Sequence, residues 1–168
     1  MAGNLSRIPE YFQRYANYVQ EENLNKAFAT HQPQFIEFFK NIPEEKWDYR
    51  YAEGKWNIKE MVQHLIDTER VFQYRAVCFA RKDKTHLPGF DENLFSSNAD
   101  AETRNKKDLI YEFEVVLQSG SLLFQSFTEE QLQSSGIANG KEVYVEGMGF
   151  IMLGHVLHHI GVLKERYL

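Results

Sequence analysis

The sequence of 168 residues has the length of one domain, and its apolar content of 43% is ample for one core, so we expect a single domain over residues 1–168. The formal charge is −5, and neither sign gathers into a block that would follow a phosphate backbone, which argues against nucleic acid as a partner. One cysteine, Cys78, excludes an internal disulfide, and no apolar run reaches the roughly 18 residues of a membrane span, so we expect a cytoplasmic protein without a membrane partner.

The first part of the chain has two apolar patterns at helical spacing. Residues 8–19, with Pro9 near the start, predict a short leading helix. The second pattern begins at Leu24 and ends near Phe39, which predicts a longer helix. Because Pro33 lies inside it, we expect this helix to bend or break there.

The start of the next helix is predicted by an N-terminal capping pattern. Asn57 is a preferred N-cap residue, and Glu60 follows three positions later, as in a capping box. The apolar pattern that follows carries this helix to about Arg81, long enough to cross the domain. Residues 82–100 then contain proline, glycine, asparagine and serine, and predict a long connection that crosses the molecule or serves a function.

Two further helices complete the pattern. Apolar residues predict a helix over residues 109–127, and Thr128 with Gln131 can cap a short extra turn. A brief extended segment at residues 143–145 precedes a last helix over residues 148–167. The sequence therefore predicts an all-α fold, a four-helix bundle with a long crossover between its second and third main helices, plus the short leading helix.

Two histidines share one face of the last predicted helix. His155 and His159 are four residues apart, which stacks their side chains about one turn from each other. The same stripe includes Met148 and Met152, so the pair is expected to face the bundle interior. His158 lies off the stripe.

A third histidine is available on the preceding long helix. His64 shares a stripe with Met61 and Thr68 and should also face the core. Three neutral imidazoles would leave a metal ion its full charge and an open coordination position, as in catalytic zinc sites. The alternative is that these histidines are simply buried and hydrogen-bonded, and periodicity alone does not decide between the two.

No residue stands out as a catalytic base. The candidate catalytic residues are Asp67 and Arg75. Asp67 follows His64 by three residues and would orient a ligand or hold a metal-bound water, although a solvated helix acid is the equal alternative. Arg75 would select an anionic substrate or join a structural polar network. Four aromatic residues are candidates for a pocket lining, although such residues are more often core: Trp56, Tyr74, Phe90 and Phe95.

Taken together, several segments resemble the DinB-like superfamily of the YfiT type. They are residues 8–11, 49–60, 64–75, 87–91 and 154–159. In that family a four-helix bundle holds a metal through one histidine on the second helix and a His-x-x-x-His run on the last. The resemblance places these ligands on His64, His155 and His159 and implies one divalent ion, zinc or nickel.

The resemblance also suggests the reaction. The family includes thiol transferases, so we expect a metal-dependent enzyme that transfers a low-molecular-weight thiol, as cosubstrate, to an electrophilic small-molecule substrate. The close alternative is hydrolysis, because such a metal lowers the pKa of bound water to about 7. A third hypothesis is a noncatalytic, metal-stabilised binding or stress-response module. Family members often form homodimers, and we expect a homodimer here.

Overall fold

The computed structural model describes residues 4–168 of the chain. Within this range the α-helices and β-strands follow in this order: α1 (Glu10–Ala16), α2 (Leu24–Asn41), α3 (Ile58–Ala80), α4 (Glu92–Asn98), α5 (Lys106–Gln125), α6 (Glu129–Gln133), β1 (Ser135–Ala138), β2 (Lys141–Tyr144) and α7 (Val145–Arg166). Short 3-10 turns lie at Leu5–Arg7, Glu44–Lys46 and Ala101–Thr103.

Helices α2, α3, α5 and α7 form a four-helix bundle, which confirms the predicted fold class. Helix α3 packs against α5 and α7, and α2 packs against the same two helices. Their apolar faces meet in one core that includes the fully buried Phe39, Leu65, Phe113 and Phe150. Among residues 4–168, no helix is both long enough and apolar enough to cross a membrane.

The N-terminal cap of α3 is the capping box that the sequence predicts. The Asn57 side chain accepts from the Glu60 backbone N–H (2.9 Å), and the Glu60 carboxylate accepts from the Asn57 N–H (2.7 Å). A second predicted cap, Thr128 with Gln131, opens α6. The first box fixes where α3 begins, and the helical period then sets which of its residues share the core-facing side.

Helix α2 is one long helix, as predicted, and it continues across Pro33 without a break. Proline inside a helix removes a hydrogen bond and costs about 3 kcal/mol. Apolar residues are buried in the core on both sides of it, among them Phe28 and Phe35. Their burial outweighs the cost of the proline, so one helix spans residues Leu24–Asn41.

Residues 135–144 form a β-hairpin where the sequence predicts only a brief extended segment. Strands β1 and β2 pair antiparallel, with Ala138 opposite Lys141. The two-residue loop is Asn139-Gly140, and both residues have positive φ (51° and 70°), as a type I′ turn requires. Helix α7 therefore begins at Val145, three residues before the predicted start.

The crossover between α3 and α5 is more ordered than a plain loop. It contains α4, which the Asp91 side chain caps by accepting from the N–H groups of Asn93 (2.9 Å) and Leu94 (3.0 Å). Earlier in the crossover, Leu87 donates its backbone N–H to Ile137 of β1 (2.9 Å). The crossover is thereby fixed to the hairpin. No residue of α4 is buried, so its sequence has no apolar period from which a helix could be predicted.

The leading helix α1 is shorter than predicted and lies against α7. A Cβ atom at Gly154 would lie 1.9 Å from the carbonyl oxygen of Tyr15, so only glycine allows the two backbones to approach this closely. Tyr15 and Ala16 are buried in this contact. The contact places α1 beside His155, the residue that follows Gly154.

A buried acid on α3 makes the stability of the protein depend on pH. Glu69 is 4% exposed, and burial raises its pKa to about 8, although a hydrogen bond with the Gln73 side chain acts in the opposite direction and lowers it. Between its ordinary value of 4.5 and about 8, the folded protein keeps a proton that the unfolded chain loses. The free energy of unfolding should therefore fall as pH rises through this window, by up to about 1.4 kcal/mol per pH unit.

Glu69→Gln should remove this pH dependence, because the amide cannot ionise. We expect the variant to be more stable than the wild type at about pH 8, and the difference to shrink toward about pH 5. Urea unfolding at several pH values measures it. Equal pH slopes for the two proteins would show that Glu69 does not keep its proton in the folded state.

Candidate metal site

The three histidines that the sequence singles out meet at one point between α3 and α7. Nε2 of His155 lies 3.3 Å from Nε2 of His64 and 3.0 Å from Nε2 of His159. One ligand atom from each residue lies within 4.8 Å of the others. His155 is buried, and the other two are partly buried.

This geometry is difficult to satisfy by hydrogen bonds alone. An imidazole nitrogen carries either one N–H or one lone pair, so Nε2 of His155 cannot bond normally to both neighbouring nitrogens. In the described part of the chain, Nδ1 of His159 is also buried without a hydrogen-bond partner. A cation that accepts a lone pair from each ring removes the first conflict. The donor set and its spacing thus fit a metal, since nitrogen ligands of tetrahedral zinc lie about 3.3 Å apart.

The protonation state of the cluster also suits a metal. Burial lowers the pKa of His64 to about 4 and, with the neighbouring imidazoles, that of His159 to about 3. Burial, followed by the neighbouring His159 and His64, lowers the pKa of His155 well below its ordinary value. All three rings are therefore neutral near pH 7, and neutral imidazole is the form that binds metal ions.

Aromatic rings hold the histidines in place. The Trp56 ring centroid lies 4.9 Å from that of His64, and the Tyr15 ring meets His155 edge-on at 5.4 Å. Phe72 approaches His155 from the α3 side, at 6.4 Å between centroids. Such packing restricts the imidazole rotamers and pre-organises the three nitrogens.

A cavity of about 520 Å³ opens over the histidines. Its walls come from α1, α3, the crossover, the hairpin and α7. Of the predicted pocket aromatics, Trp56 and Phe90 line the cavity. Tyr74 and Phe95 lie exposed outside the lining, although the Phe95 ring contacts that of Phe90 at 5.1 Å.

The two candidate catalytic residues lie in different places. Asp67 does not line the cavity; its Oδ1 accepts from Gln63 (3.0 Å), whose side-chain oxygen accepts from Arg104 (2.5 Å). Burial raises the pKa of Asp67. Asp67 therefore belongs to a polar network between α3 and the end of the crossover. Arg75, in contrast, lines the cavity and donates from Nη2 to the Pro88 carbonyl (2.8 Å).

Several polar residues of the cavity were not recognised from the sequence. Arg14 of α1, Lys141 of β2 and Glu92 of α4 line it, as does His158 of α7, whose ring lies 5.3 Å from that of Tyr15. The first three are on short elements that lie outside the four main helices of the bundle. Only the three-dimensional packing of those elements places these side chains at the site.

Comparisons with known proteins agree with this architecture. The sequence profile of the DinB superfamily matches residues 27–163. A protein of Oceanobacillus iheyensis is 25% identical over 145 residues, which cover 83% of this chain and 80% of that protein. One from Bacillus licheniformis is 23% identical over 125 residues, covering 73% and 71%. Both carry the name "Putative metal-dependent hydrolase".

Solved structures share the fold at low sequence identity. YfiT from Bacillus subtilis, described as "a probable metal-dependent hydrolase with an unusual four-helix bundle topology", superposes with a TM-score of 0.67 at 16% identity, covering 94% of this chain and 87% of YfiT. The mycothiol-dependent maleylpyruvate isomerase has the same TM-score at 12% identity, and the match covers 95% of this chain but 62% of the isomerase. With a family profile that matches most of its length, the chain belongs to the DinB superfamily.

Proposed function

We propose that this protein is a metal-dependent enzyme that holds one divalent ion, zinc or nickel, through His64, His155 and His159. The observation that carries the proposal is the convergence of three Nε2 atoms at the floor of a cavity. The names of the relatives support metal dependence. The site is large enough for a small-molecule substrate, since ligand cavities typically have volumes of about 300–1,000 Å³.

For the reaction we propose transfer of a low-molecular-weight thiol to an electrophile. When bound, the ion would supply a Lewis acid that acidifies a thiol or a water molecule, held by the three histidines. Glu92 is the only acidic residue among the described cavity-lining residues, and it lies on α4 rather than beside the histidines. Stabilising a thiolate needs no carboxylate base. The name of one structural neighbour, a mycothiol-dependent isomerase, adds support.

Hydrolysis is the second candidate, and His158 favours it. This residue lines the cavity, and its ring lies 5.3 Å from the ring of His159. Burial lowers the pKa of His158, so its imidazole is neutral near pH 7 and able to accept a proton from water. The two curated relatives are also named as hydrolases.

A direct assay separates the candidates. Zinc-loaded and nickel-loaded protein should accelerate the reaction of 1-chloro-2,4-dinitrobenzene with at least one thiol of a panel containing cysteine, glutathione and mycothiol. The acceleration should disappear in His155→Ala, which loses a metal ligand, and persist in His158→Ala. Ester turnover without thiol, lost in His158→Ala at unchanged metal content, would instead support hydrolysis. If no thiol and no ester reacted, the noncatalytic, metal-stabilised binding module would be the remaining hypothesis.

We also propose that the protein forms a homodimer. Three apolar residues on the outer face of α5 are exposed, namely Tyr111, Val115 and Leu122. Their spacing of four and seven positions puts them in one stripe along the helix. An exposed apolar stripe of this kind is suited to a second copy of the chain.

A further inference from the structure

Arg75 is the only buried arginine among the described residues, and its charge has no carboxylate partner. It is 7% exposed, and within residues 4–168 no Asp or Glu forms an ion pair with it. By contrast, Arg50 pairs with Glu60 and Arg104 pairs with Glu112. A buried charge without a counter-charge is unfavourable, and burial accordingly lowers the pKa of Arg75.

Most of the hydrogen-bonding capacity of Arg75 is unused by the protein. A guanidinium has five N–H donors in a planar fork, and the bond to the Pro88 carbonyl uses one of them. The guanidinium carbon lies 5.7 Å from the centroid of the Phe72 ring and 5.9 Å from that of Phe90. These rings flank the cation without neutralising it.

The position of Arg75 relates it to the histidine cluster. Phe72 contacts both Arg75 and His155, so one aromatic ring separates the guanidinium from the cluster. His64 and Arg75 lie on the same side of α3, eleven positions apart, which is about 16 Å along the helix axis. Because helical side chains lean toward the N-terminus, the arginine side chain reaches back and shortens this distance.

The other charged residues of the cavity are mostly cationic as well. Arg14 and Lys141 line it, against the single acid Glu92. Arg14 donates to the Tyr15 hydroxyl (2.8 Å), and its guanidinium carbon lies 4.2 Å from the centroid of the Tyr11 ring and 4.7 Å from that of Tyr15, so its aromatic contacts are closer than those of Arg75. Between the charged groups, the wall is apolar and includes Phe72 and Ile151.

We infer that the cavity takes a substrate with a carboxylate at one end and an apolar chain or ring in the middle, and that Arg75 binds the carboxylate. This inference rests on the proposed function, in which the other end of the substrate reacts at the histidine cluster. A carboxylate matches the planar fork of a guanidinium with two parallel hydrogen bonds, and it supplies the missing counter-charge. Arg75 is thus a specificity-determining residue for the reaction.

The competing explanation is that Arg75 only fixes the crossover through Pro88. Matched acids and amides separate the two explanations, because they share size and shape and differ in charge. Suitable probes are 4-phenylbutanoate and 6-phenylhexanoate with their primary amides, titrated calorimetrically into metal-free and zinc-loaded protein. The metal-free experiment keeps this inference testable even if no metal is bound, and it excludes carboxylate binding to zinc.

In the wild type, at least one of the two acids should bind at least about tenfold more tightly than its amide, in the metal-free and in the zinc-loaded protein. Arg75→Gln should bring this ratio close to one and leave amide binding unchanged, and Arg75→Lys should recover part of the preference. Arg81→Gln, at the end of the same helix and outside the cavity lining, is the matched control and should keep the full ratio.

Three outcomes would overturn the inference. They are a ratio near one in the wild type for every pair, a ratio that Arg75→Gln leaves unchanged, and an equal loss of acid and amide binding in that variant. If both Arg75 variants fail to fold, the Nε–H resonance of Arg75 in the wild type decides. It should shift on titration with the acid and stay in place with the amide.

Discussion

A double variant, His64→Ala with His159→Ala, is expected to bind zinc or nickel at least about a hundredfold more weakly than the wild type. The reason is that it keeps one of three nitrogen ligands, and a lone imidazole competes poorly with water. Wild-type protein should hold about one ion per chain after dialysis. Elemental analysis and titration against a chelator of known affinity measure both quantities.

Thermal unfolding provides an independent check on the same site. A ligand that binds only the folded state stabilises it by about 4 kcal/mol at a thousandfold excess over its dissociation constant. Added zinc should therefore raise the melting temperature of the wild type and leave that of the double variant unchanged. His158→Ala is the control and should behave as the wild type does. Undiminished metal in the double variant would show that the ion binds elsewhere.

Gly154→Ala should destabilise the protein by about 2–4 kcal/mol. The added Cβ would lie 1.9 Å from the Tyr15 carbonyl oxygen, which is a backbone atom and cannot rotate away. Helix α1 must therefore shift from α7, and it carries Arg14 and Tyr15 out of the cavity wall. A loss of this size should lower the melting temperature by about 5–15 °C for a chain of this length.

Gly161→Ala is the matched control for that substitution. Gly161 lies on the same helix, and a Cβ there would meet no atom within 4 Å. Since alanine favours helix over glycine by up to about 1 kcal/mol, this variant should be as stable as the wild type or more so. Urea unfolding of both variants measures the difference. Equal stabilities would mean that α1 is not held against α7 as described.

The bundle was predictable because its helices bury one apolar face each. That face produces a period of 3.6 residues in the sequence, and the capping box fixes the start of α3. Helix α4 buries none of its residues and so has no apolar period, and strand β1 has four residues, too few for a period to emerge. Their conformations depend on contacts with Leu87 and with the bundle, which are distant in the sequence.

The same limits apply to the site. Helical spacing brought His64, His155 and His159 together, because each lies on a helix with a clear core-facing side. Spacing also distinguishes the two candidates on α3: at about 100° per residue, Arg75 points within about 20° of His64, whereas Asp67 is about 60° away. Arg14 and Lys141 lie on other elements, and no local pattern predicts which cavity those elements will border.

The separation of the histidines along the chain has a consequence for how an ion is acquired. His64 and His155 are 91 positions apart. At about 5–20 residues per second, the ribosome needs roughly 5 to 18 seconds to proceed from the first to the second. During that time the nascent chain offers a single histidine of the cluster. An ion can therefore be held by all three histidines only after α7 has been synthesised and has docked, and its identity depends on which metals are available at that stage.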